Sequence, residues 1–146
     1  EPSCALVKTQ MDEVTGKSNT FMTPIAVSDD NDTGFIWSLV LGETGTVIWV
    51  TQAYGASSCI DKGDKTNILF TDGSRIEMAK HTPFSCDNRS TVFFGIASAR
   101  QEQLAALSTK SIKTMRVWTH DGYVERSPTT EQAVALRDSF ACLNNR

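Results

Sequence analysis

The chain has 146 residues, of which 40% are hydrophobic and 21% charged. That balance excludes a disordered or collagen-like polypeptide, and the length suits a single domain, 1–146, able to bury its own core without a metal or cofactor. Fourteen basic against seventeen acidic side chains give a net charge of −3 with no basic block. This argues against a protein that coats nucleic acid, and no apolar run approaches the ~18 residues of a membrane span.

Alternating hydrophobicity and turn residues dominate the chain from its start. Segments 5–12 and 17–27 flank Glu13-Val14-Thr15-Gly16, a turn ending in a left-handed glycine. Segments 35–41 and 47–51 flank Gly42-Glu43-Thr44-Gly45, a turn of the same kind. With Gly45 as the bulge residue, Leu39 faces Trp49 and Trp37 faces Thr51. One side of this hairpin then carries Phe35, Trp37, Leu39, Leu41, Val47 and Trp49, and the reverse carries Ile36, Val40, Ile48 and Val50. Two apolar sides predict strands buried on both faces.

A third hairpin joins 66–70 to 75–79, and 91–96 reads as another strand. The segments 113–119 and 123–125 flank a two-residue Asp121-Gly122 turn. The total of about eight or nine short strands predicts a mainly β fold, an antiparallel sandwich or open barrel. Two helices interrupt the pattern. Ser98 to Gln101 reads as a capping box for a short helix near 99–107. A C-terminal helix near 128–143 has Pro128 in its first turn and Thr129 with Gln132 as a second capping box. Ala133, Leu136, Phe140 and Leu143 form its apolar stripe, with Arg137 off that stripe.

The four cysteines, Cys4, Cys59, Cys86 and Cys142, show no CxxC spacing, which favours disulfides over zinc. A two-residue Asp72-Gly73 turn places Leu69 opposite Ile76. Carried outward, the same ladder places Cys59 opposite Cys86, leaving Cys4 for Cys142. Chain-entropy arithmetic assigns about 3.6 kcal/mol to the inner loop and about 5 kcal/mol to the outer one. Disulfides imply an oxidising compartment, so the protein is expected to be secreted or periplasmic. Glu1-Pro2-Ser3-Cys4 reads as the start of a mature chain or of a trimmed one, not as a signal peptide.

Several segments carry a family resemblance. They are Asp12 to Lys17, Asn67 to Ser74, Cys86, Lys110 to Val117, Thr119 to Glu125, Thr130 to Ala133, and Cys142-Leu143. In this order they resemble small secreted or periplasmic bacterial proteins common in Bacteroidota. The resemblance covers about half of the chain and implies an exported β-rich domain. It brings no activity with it.

Chemistry is sparsely signalled. Cys86 with His81 could form a thiol–imidazole pair, but five residues of strand put them on opposite faces, and a disulfide would consume the thiol. There is no GxSxG, no helix-initiating SxxK, no phosphate loop and no HExxH. Asp29-Asp30-Asn31-Asp32 is faintly like a calcium loop but lacks the distal glutamate, and a polar turn explains it. Asn31-Asp32-Thr33 and Asn88-Arg89-Ser90 match the glycosylation sequon.

The remaining candidate is a recognition patch on the last hairpin: Trp118, His120, Tyr123 and Glu125. In the two-residue-turn register His120 faces Tyr123 and Trp118 faces Glu125, with Trp118 as the floor. The expected function is an exported, non-catalytic binding or structural module for a protein or carbohydrate ligand. A small hydrolase with an unrecognised site and an inhibitor of a secreted enzyme are the alternatives. Alkylation of the denatured, unreduced protein should label no cysteine, and peptide mapping should link Cys59 to Cys86. Four labelled thiols would overturn both the pairing and the compartment.

Overall fold

A computed structural model describes residues 2–28, 33–42, 44–54, 59–60, 64–79, 86, 88–95, 98–119 and 122–145. The turn at Gly16 joins β1 (Val7–Met11) to β2 (Ser18–Met22), with Met11 opposite Ser18. The expected long second strand is split. Pro24 has no N–H to give a ladder, and β3 (Ile25–Ser28) starts after it. Both β2 and β3 pair with β4 (Gly34–Leu41), at opposite ends of it. A Cβ on Gly34 would lie 2.0 Å from the Val27 carbonyl oxygen, so the β3–β4 junction closes only around glycine. β4 pairs with β5 (Val47–Tyr54) in the expected register, Leu39 facing Trp49, and β5 pairs with β8 (Arg89–Phe94).

These six strands form one sheet. A second sheet has the order β10 (Gly122–Arg126), β9 (Ile112–Thr119), β6 (Lys65–Phe70), β7 (Arg75–Ala79). All pairings among the described residues are antiparallel, and the fold is sandwich-like with ten strands and two helices. The expected β sandwich is therefore correct in class. The strand count rose because Pro24 divides one strand.

The β6–β7 hairpin corrects the two-residue turn. Ile68 faces Ile76 and Leu69 faces Arg75, so Thr71-Asp72-Gly73 form a three-residue loop. Phe70 N–H donates to Ser74 O at 2.9 Å and Gly73 N–H to Phe70 O at 3.0 Å, with Gly73 at φ +87°. The two-residue turn would have set buried Ile68 against Glu77. The observed register keeps apolar partners on one face, which is the stronger constraint on a half-buried hairpin. Ser74 closes the loop through its hydroxyl and its amide, both donating to Asp72 Oδ1, and Lys110 stands beside the same carboxyl. Together these hold the Asp72 pKa at about 2.

Both disulfides are present, Cys59–Cys86 and Cys4–Cys142, with Cα–Cα distances of 4.1 and 5.7 Å. The inner pairing matches expectation although the register used to reach it does not. The described β6–β7 ladder ends at Lys65 opposite Ala79.

Both sheets turn one face toward a common core. β4, β5 and β8 contribute Phe35, Trp37, Leu39, Val47, Trp49 and Phe94; the second sheet contributes Ile68, Phe70, Met78, Met115 and Val117. The Trp37 indole N–H donates to Met115 Sδ at 3.2 Å, linking the two layers inside the core. The outer face of β4 and β5 is only partly covered, with Val40 at 38% exposure. The expectation of two fully buried faces therefore holds for one side only.

α1 (Ser98–Thr109) is longer than expected and starts at Ser98 itself. It buries Leu104 and Leu107. Its Gln103 Nε2 donates to the Glu77 carbonyl at 3.1 Å, covering part of the β7 edge. α2 (Thr130–Asn144) is capped by Thr129, whose hydroxyl accepts from Gln132 N at 3.1 Å while Gln132 Oε1 accepts from Thr129 N at 3.0 Å. Pro128 thus precedes the cap and is outside the first turn. Gln132 Nε2 also donates to Ala26 O at 2.8 Å, fixing the start of α2 on β3.

Phe140 is fully buried and meets Trp49 and Phe94 edge to face, at centroid distances of 5.3 and 6.0 Å. Arg137 is half-buried and donates to Ser111 and Asp138. No helix among the described residues is long and apolar enough to cross a membrane. Phe140→Ala should cost about 3–5 kcal/mol, read as a lower denaturant midpoint. An unchanged midpoint would mean that α2 does not hold the sandwich closed.

Candidate functional site

The outer face of the second sheet carries the site. A bulge at Leu69/Phe70 sets Ile112 opposite Phe70 and Thr114 opposite Leu69, so Ile112 and Met115 both turn inward and stay buried. Beyond the bulge, β9 alternates strictly. Met115 and Val117 enter the core, while Arg116 and Trp118 stand on the outer face.

Cross-strand register then assembles three rows. In the middle row Glu77 faces Asn67, Asn67 faces Arg116, and Arg116 faces Glu125. On one side of it Trp118 faces Tyr123, with Lys65 on the neighbouring strand. On the other side Arg75 faces Leu69 and Leu69 faces Thr114, whose hydroxyl lies 3.0 Å from that of Ser127.

Polar contacts lock the middle and aromatic rows together. Arg116 Nε donates to Glu125 Oε1 at 2.8 Å, and Arg116 Nη2 lies 2.7 Å from the same oxygen. The Trp118 indole N–H donates to Asn67 Oδ1 at 2.7 Å, and Asn67 Nδ2 donates to Glu77 Oε2 at 3.1 Å. Lys65 Nζ pairs with Glu77 Oε1 at 3.1 Å. Lys65 first, then Asn67, holds the Glu77 carboxyl below its ordinary pKa, so it stays ionised.

The aromatic end is ordered by stacking. The Trp118 and Tyr123 ring centroids are 4.9 Å apart at 60°, and the Arg116 guanidinium lies 4.3 Å from the Tyr123 centroid. Tyr123 is 51% exposed and Trp118 36%. Next to the rings is an open depression of about 510 Å³, lined by Asn67, Leu69, Arg75, Thr114, Arg116 and Glu125. Arg75 is exposed and has no ionic or hydrogen-bonding partner among the described residues.

The expected patch is therefore partly assembled. Trp118, Tyr123 and Glu125 share this face, and Trp118 is not a core residue. His120 lies outside the described residues, as do His81 and the Asp29–Asp32 segment. The expected facing pairs are corrected: Trp118 faces Tyr123, Arg116 faces Glu125, and Thr119 faces Gly122, so Gly122 belongs to β10 and not to the turn. The observed register aligns Val117 with Val124 on the core side, opposite charges at Arg116 and Glu125, and two aromatic rings. Each of those cross-strand matches is favourable. A turn placed on Asp121-Gly122 would have forfeited all three.

Arg116, Asn67, Glu77, Arg75 and Thr114 were not anticipated. The alternation of β9 carries a signal for Arg116, whereas the others depend on β6 lying beside β9. Cys86 is in a disulfide and has no thiol to act as a nucleophile. Among the described residues no three His, Cys, Asp or Glu side chains gather closely enough to hold a metal ion.

No protein family, curated protein or solved structure matches the chain. The resemblance to exported bacterial proteins thus rests on the order of its motifs alone.

The Arg116 and Glu125 side chains are 38% and 39% exposed. A double-mutant cycle on the pair should therefore give a coupling below about 1 kcal/mol. A clearly larger coupling would mean that the outer face is desolvated.

Proposed function

We propose that this protein is an exported, non-catalytic recognition module that binds through the outer face of its four-stranded sheet. Export is supported by the two disulfides, which persist in oxidising compartments such as the periplasm or the extracellular space. One observation carries the binding reading. Trp118 and Tyr123 stand side by side on the surface with large ring areas in water, fixed by Asn67 and Arg116 rather than buried.

Apolar ring area left in water forgoes the stabilisation that burial would give. Rings already fixed by neighbours lose less side-chain entropy when a ligand docks. Rigid aromatics beside an arginine are the residue types in which binding energy concentrates. The adjoining depression falls within the size range of small-ligand sites and mixes apolar lining with a few fixed polar groups.

An array of oligosaccharides and peptides, probed with wild type and with the Trp118→Ala/Tyr123→Ala double variant, tests this reading. Intact disulfides and an unchanged far-UV spectrum would verify that the variant folds. Ligands captured by wild type should lose more than about 1 kcal/mol of affinity in the variant, about fivefold or more. Undiminished capture by a folded double variant would place recognition elsewhere or remove it altogether.

A further inference from the structure

Building on that recognition surface, we infer that its ligand is a short acidic oligosaccharide carrying uronate carboxylates. The three rows differ in chemistry, and the difference defines the ligand. The Trp118–Tyr123 row offers aromatic faces, on which the C–H face of a pyranose stacks. The middle row offers planar polar groups already held in place: Asn67 by Trp118 and Glu77, and Arg116 and Glu125 by each other. Arg116 uses Nε and Nη2 on one glutamate oxygen, which leaves Nη1 and Glu125 Oε2 without a partner among the described residues. A donor and an acceptor left over on one fixed ion pair suit the hydroxyls of a sugar ring.

The third row supplies the charge. Lys65 is paired with Glu77, Lys110 with Asp72, and Arg116 with Glu125. Lys113, exposed at the bulge, and Arg75 have no anionic partner among the described residues; of the two, Arg75 lines the depression, beside Leu69 and Thr114. A guanidinium in that setting suits a carboxylate, which it can take with two parallel N–H donors. Alternate strand residues are about 7 Å apart, so the aromatic row and the Arg75 row are about 14 Å apart, room for about three pyranose rings.

The layout also disfavours an extended peptide. Peptides that add to sheets draw on the backbone groups of an edge strand. β6 and β9 spend theirs in the ladders on both sides, part of the β7 edge is taken by Gln103, and the β10 edge is at the opposite side of the sheet from Arg75. The face presents side chains only.

Calorimetric titration of the intact protein with three uronate trimers (galacturonate, mannuronate and glucuronate) and with their methyl esters tests the inference. At least one acid should bind, with its ester about tenfold or more weaker, as expected for losing one charge-assisted contact. Arg75→Gln should weaken the acid to the level of the ester and leave the ester unchanged. Trp118→Ala should weaken both.

No binding by any of the three acids, or equal binding of acid and ester, would overturn the ligand class. An acidic tripeptide that binds in their place, and loses affinity in the Trp118→Ala/Tyr123→Ala variant, would overturn the inference and leave the recognition surface standing. Array ligands indifferent to that double variant would instead remove the surface itself.

Discussion

The pairing of β9 with β6 is the constraint on which both the core and the candidate site depend. β9 is a central strand whose two faces have separate duties. Its inward side chains, Ile112, Met115 and Val117, fill the space between the sheets, and Met115 accepts the buried Trp37 indole N–H. Its outward side chains, Thr114, Arg116 and Trp118, form the middle of the outer face. Sliding β9 by one residue would drive a guanidinium and an indole into the core and put Met115 and Val117 in water. Burying an unpaired guanidinium alone costs several kcal/mol, a large share of the net stability of a domain of this size. The apolar interior therefore fixes the outer geometry.

The polar contacts of that face are individually weak, being exposed to solvent. Their role is positional. Asn67 joins Trp118 to Glu77, and Arg116 joins Glu125 to the Tyr123 ring, so four strands hold one connected set of side chains. A ligand meeting such a surface finds its partners largely in place, which lowers the entropy lost on binding. The disulfides act on the frame instead. Cys4–Cys142 ties the N-terminal segment to α2, whose Phe140 packs on Trp49 and Phe94.

Local patterns in the chain carried much of the fold. The turn at Gly42–Gly45 set the β4–β5 register to the residue, because a bulge glycine and two long alternating strands leave little choice. The Thr129–Gln132 box marked the start of α2. The Asp72-Gly73 and Asp121-Gly122 dipeptides misled, because a dipeptide signals a turn without fixing which residues close the ladder. Cross-strand chemistry was the better guide in both cases, since Ile68 with Ile76 and Arg116 with Glu125 are complementary only in the observed registers. Half of the site was out of reach for a different reason. Asn67 and Arg116 are far apart in the chain, and nothing local says that β6 and β9 are neighbours.

The register of β9 is accessible in solution by NMR, through cross-strand backbone NOEs on isotope-labelled protein. The account predicts contacts from Arg116 to both Asn67 and Glu125, and from Trp118 to Tyr123. Contacts from Trp118 to Glu125, or the absence of any between β6 and β9, would contradict it.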